Sequence, residues 1–250
     1  MSGNTHKAIL FLGATGGSGL SALRRSLAAG HTCIALCRTP SRLLEKLEAV
    51  NQPANLLTEQ GNALDVDAVA RCLTHPSEPS RLVDAIVFSI GGAFSFSKWG
   101  NDDPTVCANS MATLLKALAQ TRANGTVGRP RIAAVSTTGI SEHGRDIPAA
   151  LIPMYHVMLK EPHKDKKAME DQLLASGEEY TIIRPSLLTD GPEETKRPIR
   201  AGMEDPQAKK LVSRVLGYTI SREDVGKWIY ENALEDREGK WANKIASLTY

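Results

Sequence analysis

The chain has 250 residues, of which 42% are hydrophobic and 23% are charged, a balance typical of globular proteins. Its formal net charge of +2 favours neither a nucleic-acid partner nor a membrane surface. No apolar stretch approaches the roughly 18 residues that a membrane helix needs. This length suits one large α/β domain, or such a domain with a modest appendage.

Two features of the sequence favour a cytoplasmic location. Residues 1–7 precede the first predicted strand and contain no apolar run of the kind found in a signal peptide. The cysteines are scattered, and no further cysteine or histidine pair completes a zinc-binding set. We therefore predict no metal site and expect reduced thiols in the core at Cys33, Cys37, Cys72 and Cys107.

Short apolar runs alternate along the chain with amphipathic stretches of helical length. The predicted strands cover 8–14, 32–38, 54–61, 85–92, 131–139 and 180–188, and the last residues, 244–250, are predicted to form an edge strand. The predicted helices cover 18–30, 40–50, 65–73, 103–125, 163–177 and 221–235. This alternation predicts parallel strands with crossover helices, that is, a Rossmann-type doubly wound α/β fold.

Three irregular segments, 92–104, 140–162 and 189–212, follow successive predicted strands. Because ligands bind at the carboxyl ends of strands in open α/β sheets, we expect these segments to form a small cap there, within one domain spanning 1–250. Aromatic and methionine side chains in the first two segments favour either a lid over a flat or apolar small-molecule substrate or ordinary packing. They are Phe94, Phe96, Trp99, Met154, Tyr155 and Met158.

The sequence GATGGSG, residues 13–19, lies between the first predicted strand and the first predicted helix. A glycine-rich turn in this context is typical of a phosphate-binding loop, in which Gly13 permits the tight turn and Gly19 lets the helix approach the strand. Gly16 lets backbone N–H groups approach a pyrophosphate. The alternative is a plain tight turn. We predict that a dinucleotide contacts Gly13, Thr15, Gly16, Gly17, Ser18 and Gly19.

The residues after the second predicted strand indicate which dinucleotide binds. A carboxylate at this place would accept a hydrogen bond from the ribose 2′-OH of NAD, but the first acidic residue of the chain is Glu45. Arg38, Ser41 and Arg42 stand there instead, and guanidinium and hydroxyl groups suit a 2′-phosphate. We therefore predict NADPH or NADP⁺ as the cofactor. Two solvated arginines at a helix start are the alternative.

Four segments together resemble the short-chain dehydrogenase/reductase superfamily in its extended and atypical branches: GATGGSG (13–19), GNALD (61–65), SIGG (89–92) and YTIIRPSLLTDGP (180–192). The sequence looks most like the NAD(P)-binding branch with biliverdin/flavin reductase-like and nitrogen-regulator-like proteins. The resemblance implies contacts to the adenine from Asn62 and Ala63. It also implies that Ser89, Ile90 and Gly91 pass under the ribose and pyrophosphate, and that Pro185 contacts the cofactor. A strand that simply ends in a turn is the alternative at 89–92.

The best-known members of this superfamily use a serine, a tyrosine and a lysine, the last two spaced Y-x-x-x-K, and this chain has no such motif. Counting back from YTIIRP, Lys166 falls where the family lysine falls, and Pro162 falls at the tyrosine position. The resemblance therefore implies that Lys166 binds the nicotinamide ribose. The alternative is an exposed lysine within a charged run.

Other polar residues are candidates for the remaining chemistry. Ser136, Thr137 and Thr138 end the fifth predicted strand, where the family serine lies. A hydroxyl there could bond a substrate carbonyl or simply cap the strand. Tyr155 is a local candidate for a replacement acid, as are His156 and His163.

Two functions remain open on the sequence. The first is an NADPH-dependent reductase acting on a small or medium organic molecule, whose electron-poor acceptor, such as a flavin, a quinone or an iminium, would need only a solvent proton. The second is a non-enzymatic regulator that binds NADP(H). A non-redox isomerase or cyclase that keeps NADP as a scaffold is also compatible with the missing Y-x-x-x-K motif.

Overall fold

A computed structural model of the chain describes residues 6–48, 51–92, 94–95, 100–101, 103–153, 159–194 and 196–250. The helices are α1 (Gly17–Ala28), α2 (Pro40–Lys46), α3 (Val66–Leu73), α4 (Val106–Ala123), α5 (Lys160–Ala175) and α6 (Arg222–Ile229). A 3-10 turn covers Ala149–Leu151, and a π-helical turn, Tyr230–Leu234, continues α6.

The strands are short, with two to six residues each. They are β1 (Ala8–Leu12), β2 (Thr32–Cys37), β3 (Leu56–Gln60), β4 (Thr74–His75), β5 (Glu78–Leu82), β6 (Ala85–Phe88), β7 (Phe94–Ser95), β8 (Gly100–Asn101), β9 (Arg131–Val135), β10 (Tyr180–Pro185), β11 (Leu187–Thr189), β12 (Arg200–Asp205), β13 (Lys210–Ser213), β14 (Thr219–Ser221) and β15 (Lys244–Thr249).

The central sheet has the strand order β13-β12-β15-β10-β9-β6-β1-β2-β3. All neighbours from β15 to β3 pair in parallel, whereas β12 and β13 are antiparallel additions. The chain builds β1, β2 and β3 outward in one direction and then β6, β9, β10 and β15 in the other. This reversal opens a crevice at the carboxyl ends of β1 and β6, where dinucleotides bind in such sheets. The predicted Rossmann-type fold is confirmed.

Two hydrophobic layers cover the two faces of the sheet. Leu10 and Leu12 of β1 point to the layer formed with α3, α4 and α5, while Ile9 and Phe11 point to the layer formed with α1, α2 and α6. All four side chains are fully buried, and each such burial contributes roughly 1.5–3 kcal/mol. A rigid β1 therefore presents the glycine turn that follows it.

The structure corrects two of the predicted elements. The last strand, β15, is not at an edge, because it lies between β10 and β12. The segment 189–212, predicted as an irregular part of the cap, contains β12 and most of β13, which extend the sheet beyond β15. Both errors have one cause: the β12 sequence RAGMED lacks an apolar run, and its strand forms through pairing with β15 rather than through its own propensity.

The cysteines and the lengths of the helices can be compared with the predictions made from composition. The described cysteines are all buried and unpaired, as predicted, and burial raises the pKa of Cys33 to about 12. Among the described residues, none of the helices combines the length and apolar character needed to cross a bilayer. The hairpin of β4 and β5 was not predicted.

Candidate cofactor and active site

The glycine turn after β1 packs directly against the end of β6. Gly13 has a φ of +93°, and a Cβ there would lie 2.7 Å from the carbonyl carbon of Ser89. A Cβ on Gly19 would lie 2.1 Å from the Ser89 hydroxyl oxygen and 2.7 Å from the Gly13 carbonyl oxygen. The Ser89 hydroxyl in turn donates to carbonyl oxygens of the turn. Gly13 and Gly19 are therefore required by close packing between the β1 and β6 ends.

The middle of the same turn is open and electropositive. No described atom lies within 4 Å of a Cβ built on Gly16, the residue that precedes α1. The N–H groups of Gly17, Ser18 and Gly19 lack intrahelical partners, as they do at the start of any helix. Helix α1 has no side-chain cap and no acidic residue in its first turn that could bind them instead. The Ser18 hydroxyl is buried without a hydrogen bond to any described residue. This cradle fits a pyrophosphate. Thr15 is half-buried beside it.

Two arginines lie at the end of β2, next to the start of α2. Arg38 and Arg42 are exposed, as is Ser41, and neither guanidinium forms an ion pair with any described residue. Helix α2 begins here with no acidic residue in its first turn. The local positive charge is thus uncompensated and can bind a phosphate.

The end of β3 lies beside the end of β2. The Gly61 N–H donates a 3.0 Å hydrogen bond to the Cys37 carbonyl oxygen, which brings the following residues to the same edge. The exposed Asn62 side chain accepts from the Leu64 N–H at 3.1 Å. Ala63 is half-buried and packs on the core. Asn62 and Ala63 therefore lie on the β2–β3 side of the crevice, with β1 and β2 between them and β6.

Lys166 joins two strand ends at the carboxyl edge. Its ammonium donates to the carbonyl oxygens of Ile90, at 2.8 Å, and Val135, at 2.7 Å. Beyond Ile90 the chain is open, since no described atom lies within 4 Å of a Cβ on Gly91. Ser136 follows Val135 directly, and its buried hydroxyl makes no hydrogen bond with a described residue. The fold thus brings Lys166 and Ser136 together beside the strand-order reversal.

Pro185 ends the next strand of the sheet, β10. Its carbonyl oxygen accepts from the Thr138 N–H at 3.1 Å and from the Thr138 hydroxyl at 3.3 Å. These bonds hold the residues after Ser136 against the end of β10. Pro185 therefore lies at the same edge as Ser136.

Asp165, a carboxylate that was not predicted as a functional residue, fixes the start of α5. Asp165, only 4% exposed, accepts hydrogen bonds from the N–H groups of Cys107, at 3.0 Å, and Ala108, at 2.9 Å. It therefore caps α4 from a neighbouring helix and holds Lys166, the next residue, at the sheet edge. No local signal could identify this role, because the capped helix lies more than fifty residues earlier in the chain.

One turn further along α5, a buried ion pair ties the helix to β10. Arg184 donates to Glu170 through Nε, at 2.9 Å, and through a terminal nitrogen, at 2.6 Å, and it contacts Glu204 of β12 at 3.0 Å. Burial opposes the charge of Arg184, but Glu170 and Glu204 together hold its pKa above the ordinary value. The network orients α5, and with it Lys166.

A second buried acid lies after Ser136. The Asp146 carboxylate accepts from the Gly139 N–H at 2.9 Å, and its other oxygen makes no hydrogen bond with a described residue. Burial raises the pKa of Asp146, although the Gly139 N–H and the Arg184 charge oppose the rise.

Some predicted residues cannot be placed at the site. Tyr155 and His156 lie outside the described residues, as do Phe96, Trp99, Met154 and Met158, and the side chain of Phe94 is not described either. His163 is half-buried in the first turn of α5, and its N–H donates to the Leu159 carbonyl at 2.9 Å. The acid role of Tyr155 and the lid stay predictions.

Two known proteins similar to this chain are named as a reductase and an oxidase. The chain is 41% identical over 263 residues to "Reductase pytE" of Aspergillus terreus, covering 97% of both sequences. It is 30% identical over 280 residues to "Oxidase pynE" of Aspergillus niger, covering 96% of this chain and 98% of that one. Its fold matches a short-chain dehydrogenase/reductase of Veillonella parvula, solved in complex with NADP, with a TM-score of 0.72 at 18% identity, covering 98% and 95% of the two chains.

Residues 13–236 match the NAD(P)H-binding family, a range that begins at Gly13 and reaches past α6. The predicted membership of an NAD(P)-binding family is therefore confirmed, and the fold is similar to that of a solved short-chain dehydrogenase/reductase. The chain belongs to the NAD(P)H-binding family, and it is an oxidoreductase that uses a nicotinamide cofactor.

Proposed function

We propose that the protein is an NADPH-dependent reductase of the atypical short-chain type that acts on a small or medium organic molecule. The observation that carries the proposal is the position of Lys166, bonded to both Ile90 and Val135 next to the buried Ser136 hydroxyl. When bound, the cofactor supplies a hydride. The protein's part is to bind, to orient and to exclude water.

The dinucleotide would lie across the carboxyl edge from β3 to β9. The N–H groups at the start of α1 bind its pyrophosphate, and the residues Ser89, Ile90 and Gly91 lie under the adjoining ribose. Asn62 and Ala63 line the adenine, and Pro185 closes the nicotinamide end. Arg38, Ser41 and Arg42 bind the 2′-phosphate through charge-assisted hydrogen bonds, which makes NADPH the preferred cofactor over NADH.

Lys166 and Ser136 would act at the nicotinamide end. An ammonium group has three N–H donors, and two of those of Lys166 form hydrogen bonds with carbonyl oxygens. The third N–H is therefore available to the ribose hydroxyls. The Ser136 hydroxyl, which lacks a partner in the described part of the chain, donates to a polar atom of the substrate. Tyr155 contributes at most a minor contact.

The substrate class follows from the missing proton donor. An electron-poor acceptor needs no tyrosine. A flavin or a quinone takes up a hydride and can then be protonated by solvent, whereas an iminium becomes a neutral amine on hydride transfer and needs no proton. Apolar residues in the cap segments suit a flat or apolar molecule. We propose that the enzyme acts in the cytoplasm on such small molecules, without a nucleic-acid or membrane partner.

The test is NADPH oxidation against a panel of quinones, flavins, enones and imines. We expect turnover with at least one class, and a Lys166→Ala variant serves as the control with strongly lowered activity. The absence of Y-x-x-x-K favours one other function, a regulator that binds NADP(H) without turnover. Tight NADPH binding together with no oxidation across the whole panel would support the regulator and contradict the reductase.

A further inference from the structure

Arg222 lies beside the glycine turn, although it is distant from it in the chain. A Cβ built on Gly17 would lie 3.3 Å from Cδ and 3.7 Å from Nε of Arg222. Gly17 has a φ of +55° and begins α1, whose first turn contains the unpaired N–H groups. The Cδ and Nε atoms of Arg222 therefore lie at the edge of the proposed pyrophosphate site, next to Gly17.

Helix packing fixes this position. A Cβ on Gly226 of α6 would lie 2.3 Å from the Cβ of Ser21 in α1, so the two helices touch there without an intervening side chain. The Ser21 hydroxyl also donates to the Glu223 carbonyl at 3.0 Å. Arg222 lies one turn before Gly226, just as Gly17 lies one turn before Ser21. The helices thus run parallel, and their N-termini lie side by side.

The observed partner of Arg222 is weakly held. In the small parallel sheet of β11 and β14, Thr189 pairs with Ser221, so the next residues, Asp190 and Arg222, are neighbours. Their nitrogen and oxygen atoms are 2.7 Å apart, but the Asp190 side chain is 92% exposed and that of Arg222 is 36% exposed. Exposed ion pairs of this kind contribute little, so Asp190 is easily replaced by a stronger anion.

The other acids near Arg222 already have partners. Asp224 accepts from the Ser221 hydroxyl at 2.8 Å and from the Glu194 N–H at 2.9 Å. Glu223 lies 3.6 Å from Arg24. Asp190 is therefore the carboxylate that competes with a bound anion for Arg222 within the described part of the chain.

We propose that Arg222 is a cofactor-binding residue whose guanidinium binds the diphosphate of the dinucleotide from the α6 side of the glycine turn, exchanging Asp190 for the phosphate oxygens. The inference rests on the proposed function only in that a dinucleotide binds at this turn. A diphosphate carries two negative charges and meets the α1 N-terminus at the same place, so it outcompetes one exposed carboxylate.

The test compares Arg222→Gln with Asp190→Asn by calorimetric titration with NADPH, NADH and 2′-AMP. We expect Arg222→Gln to weaken NADPH and NADH by the same factor, about tenfold, because both contain the diphosphate. Binding of 2′-AMP, which has no diphosphate, should not change. Asp190→Asn removes the competitor, so it should leave dinucleotide affinity unchanged or increase it. Arg222→Lys should restore part of the loss.

Other outcomes overturn the inference. Equal losses in Arg222→Gln and Asp190→Asn would mean that the ion pair only holds the loop after β11. A loss confined to NADPH would mean that Arg222 contacts the 2′-phosphate, and a loss that includes 2′-AMP would mean a general structural effect. No loss at all would place Arg222 outside the site. A wild-type protein that prefers NADH would contradict the NADPH proposal alone, since NADH carries the same diphosphate.

Discussion

The Lys166 ammonium lies 2.7 Å from the carbonyl oxygen of Val135, the residue immediately before Ser136. The lysine therefore bonds the backbone of the strand that carries the serine, and the two side chains keep a fixed separation at the sheet edge. Asp165 and Glu170 hold the same helix from either side of Lys166, so the position does not depend on the lysine alone.

Replacing Lys166 with alanine tests this arrangement. We expect Lys166→Ala to weaken NADPH binding and to lower turnover by about a hundredfold, the scale of effect of a misplaced reactant. Lys167→Ala is the matched control, because the neighbouring ammonium pairs with Glu142 at the surface, 3.1 Å away, and should matter little. Titration calorimetry and steady-state rates measure both. Equal, negligible effects of the two substitutions would contradict the role of Lys166.

Tyr155→Phe tests the source of the proton. If solvent supplies it, the variant should lose less than about tenfold in rate, because an essential acid contributes about 10²–10⁴-fold. The measurement is the steady-state rate together with NADPH affinity. A thousandfold loss with intact cofactor binding would show instead that Tyr155 has taken over the role of the missing family tyrosine.

Arg38→Asp tests the choice of cofactor. Two charge-assisted contacts to the 2′-phosphate, discounted for exposure, contribute roughly 2–4 kcal/mol, which corresponds to about 30- to 1,000-fold preference for NADPH. The new carboxylate would repel the phosphate and accept from the 2′-OH of NADH, so NADPH affinity should fall steeply and NADH affinity should rise. Calorimetric titration with both cofactors measures the change.

Arg129→Asp is the control for this experiment, because it makes the same charge change at an exposed residue just before β9, at the opposite end of the strands. It should leave the preference unchanged. Wild-type dissociation constants for NADH and NADPH within about threefold of each other would correspond to less than 1 kcal/mol of discrimination and would contradict the role of Arg38 and Arg42.

Asp146→Asn tests how much the burial of the Asp146 carboxylate lowers the stability of the folded protein. Because burial raises the pKa of Asp146 in the folded protein, the folded state holds the proton more tightly than the unfolded state. Asp146 therefore contributes to the free energy of unfolding at pH values below its pKa in the unfolded chain, about 4. This contribution is lost as the pH rises through its pKa in the folded protein. The amide keeps an acceptor for the Gly139 N–H without the charge.

We accordingly expect Asp146→Asn to raise the melting temperature near neutral pH by about 2–4 °C, the equivalent of about 1 kcal/mol in a chain of this size. The gain should shrink as pH falls toward 4. Thermal unfolding of both proteins across this range measures it. A variant that is less stable than wild type near neutral pH would show that attraction to Arg184 outweighs desolvation.

The sequence by itself determined the elements whose signals are local. The apolar run of β1, the glycines that follow it and the helix after them all lie within residues 8–28, so their periodicity and backbone requirements are visible in one stretch. The position of Lys166 on α5 was also predicted from the sequence, because its distance from YTIIRP is set by one helix and one short turn.

Only the tertiary structure decided which distant groups meet. Strand β12 contains charged residues and a glycine, and it exists because β15 offers backbone partners that no nearby residue reveals. Asp165 caps α4 although it belongs to α5, and Glu170 of α5 forms an ion pair with Arg184 of β10. Arg222 lies beside Gly17 because their two helices are in contact. Such partners depend on how the elements pack, and packing is a property of the whole chain. A local sequence pattern therefore does not predict which distant residues come into contact.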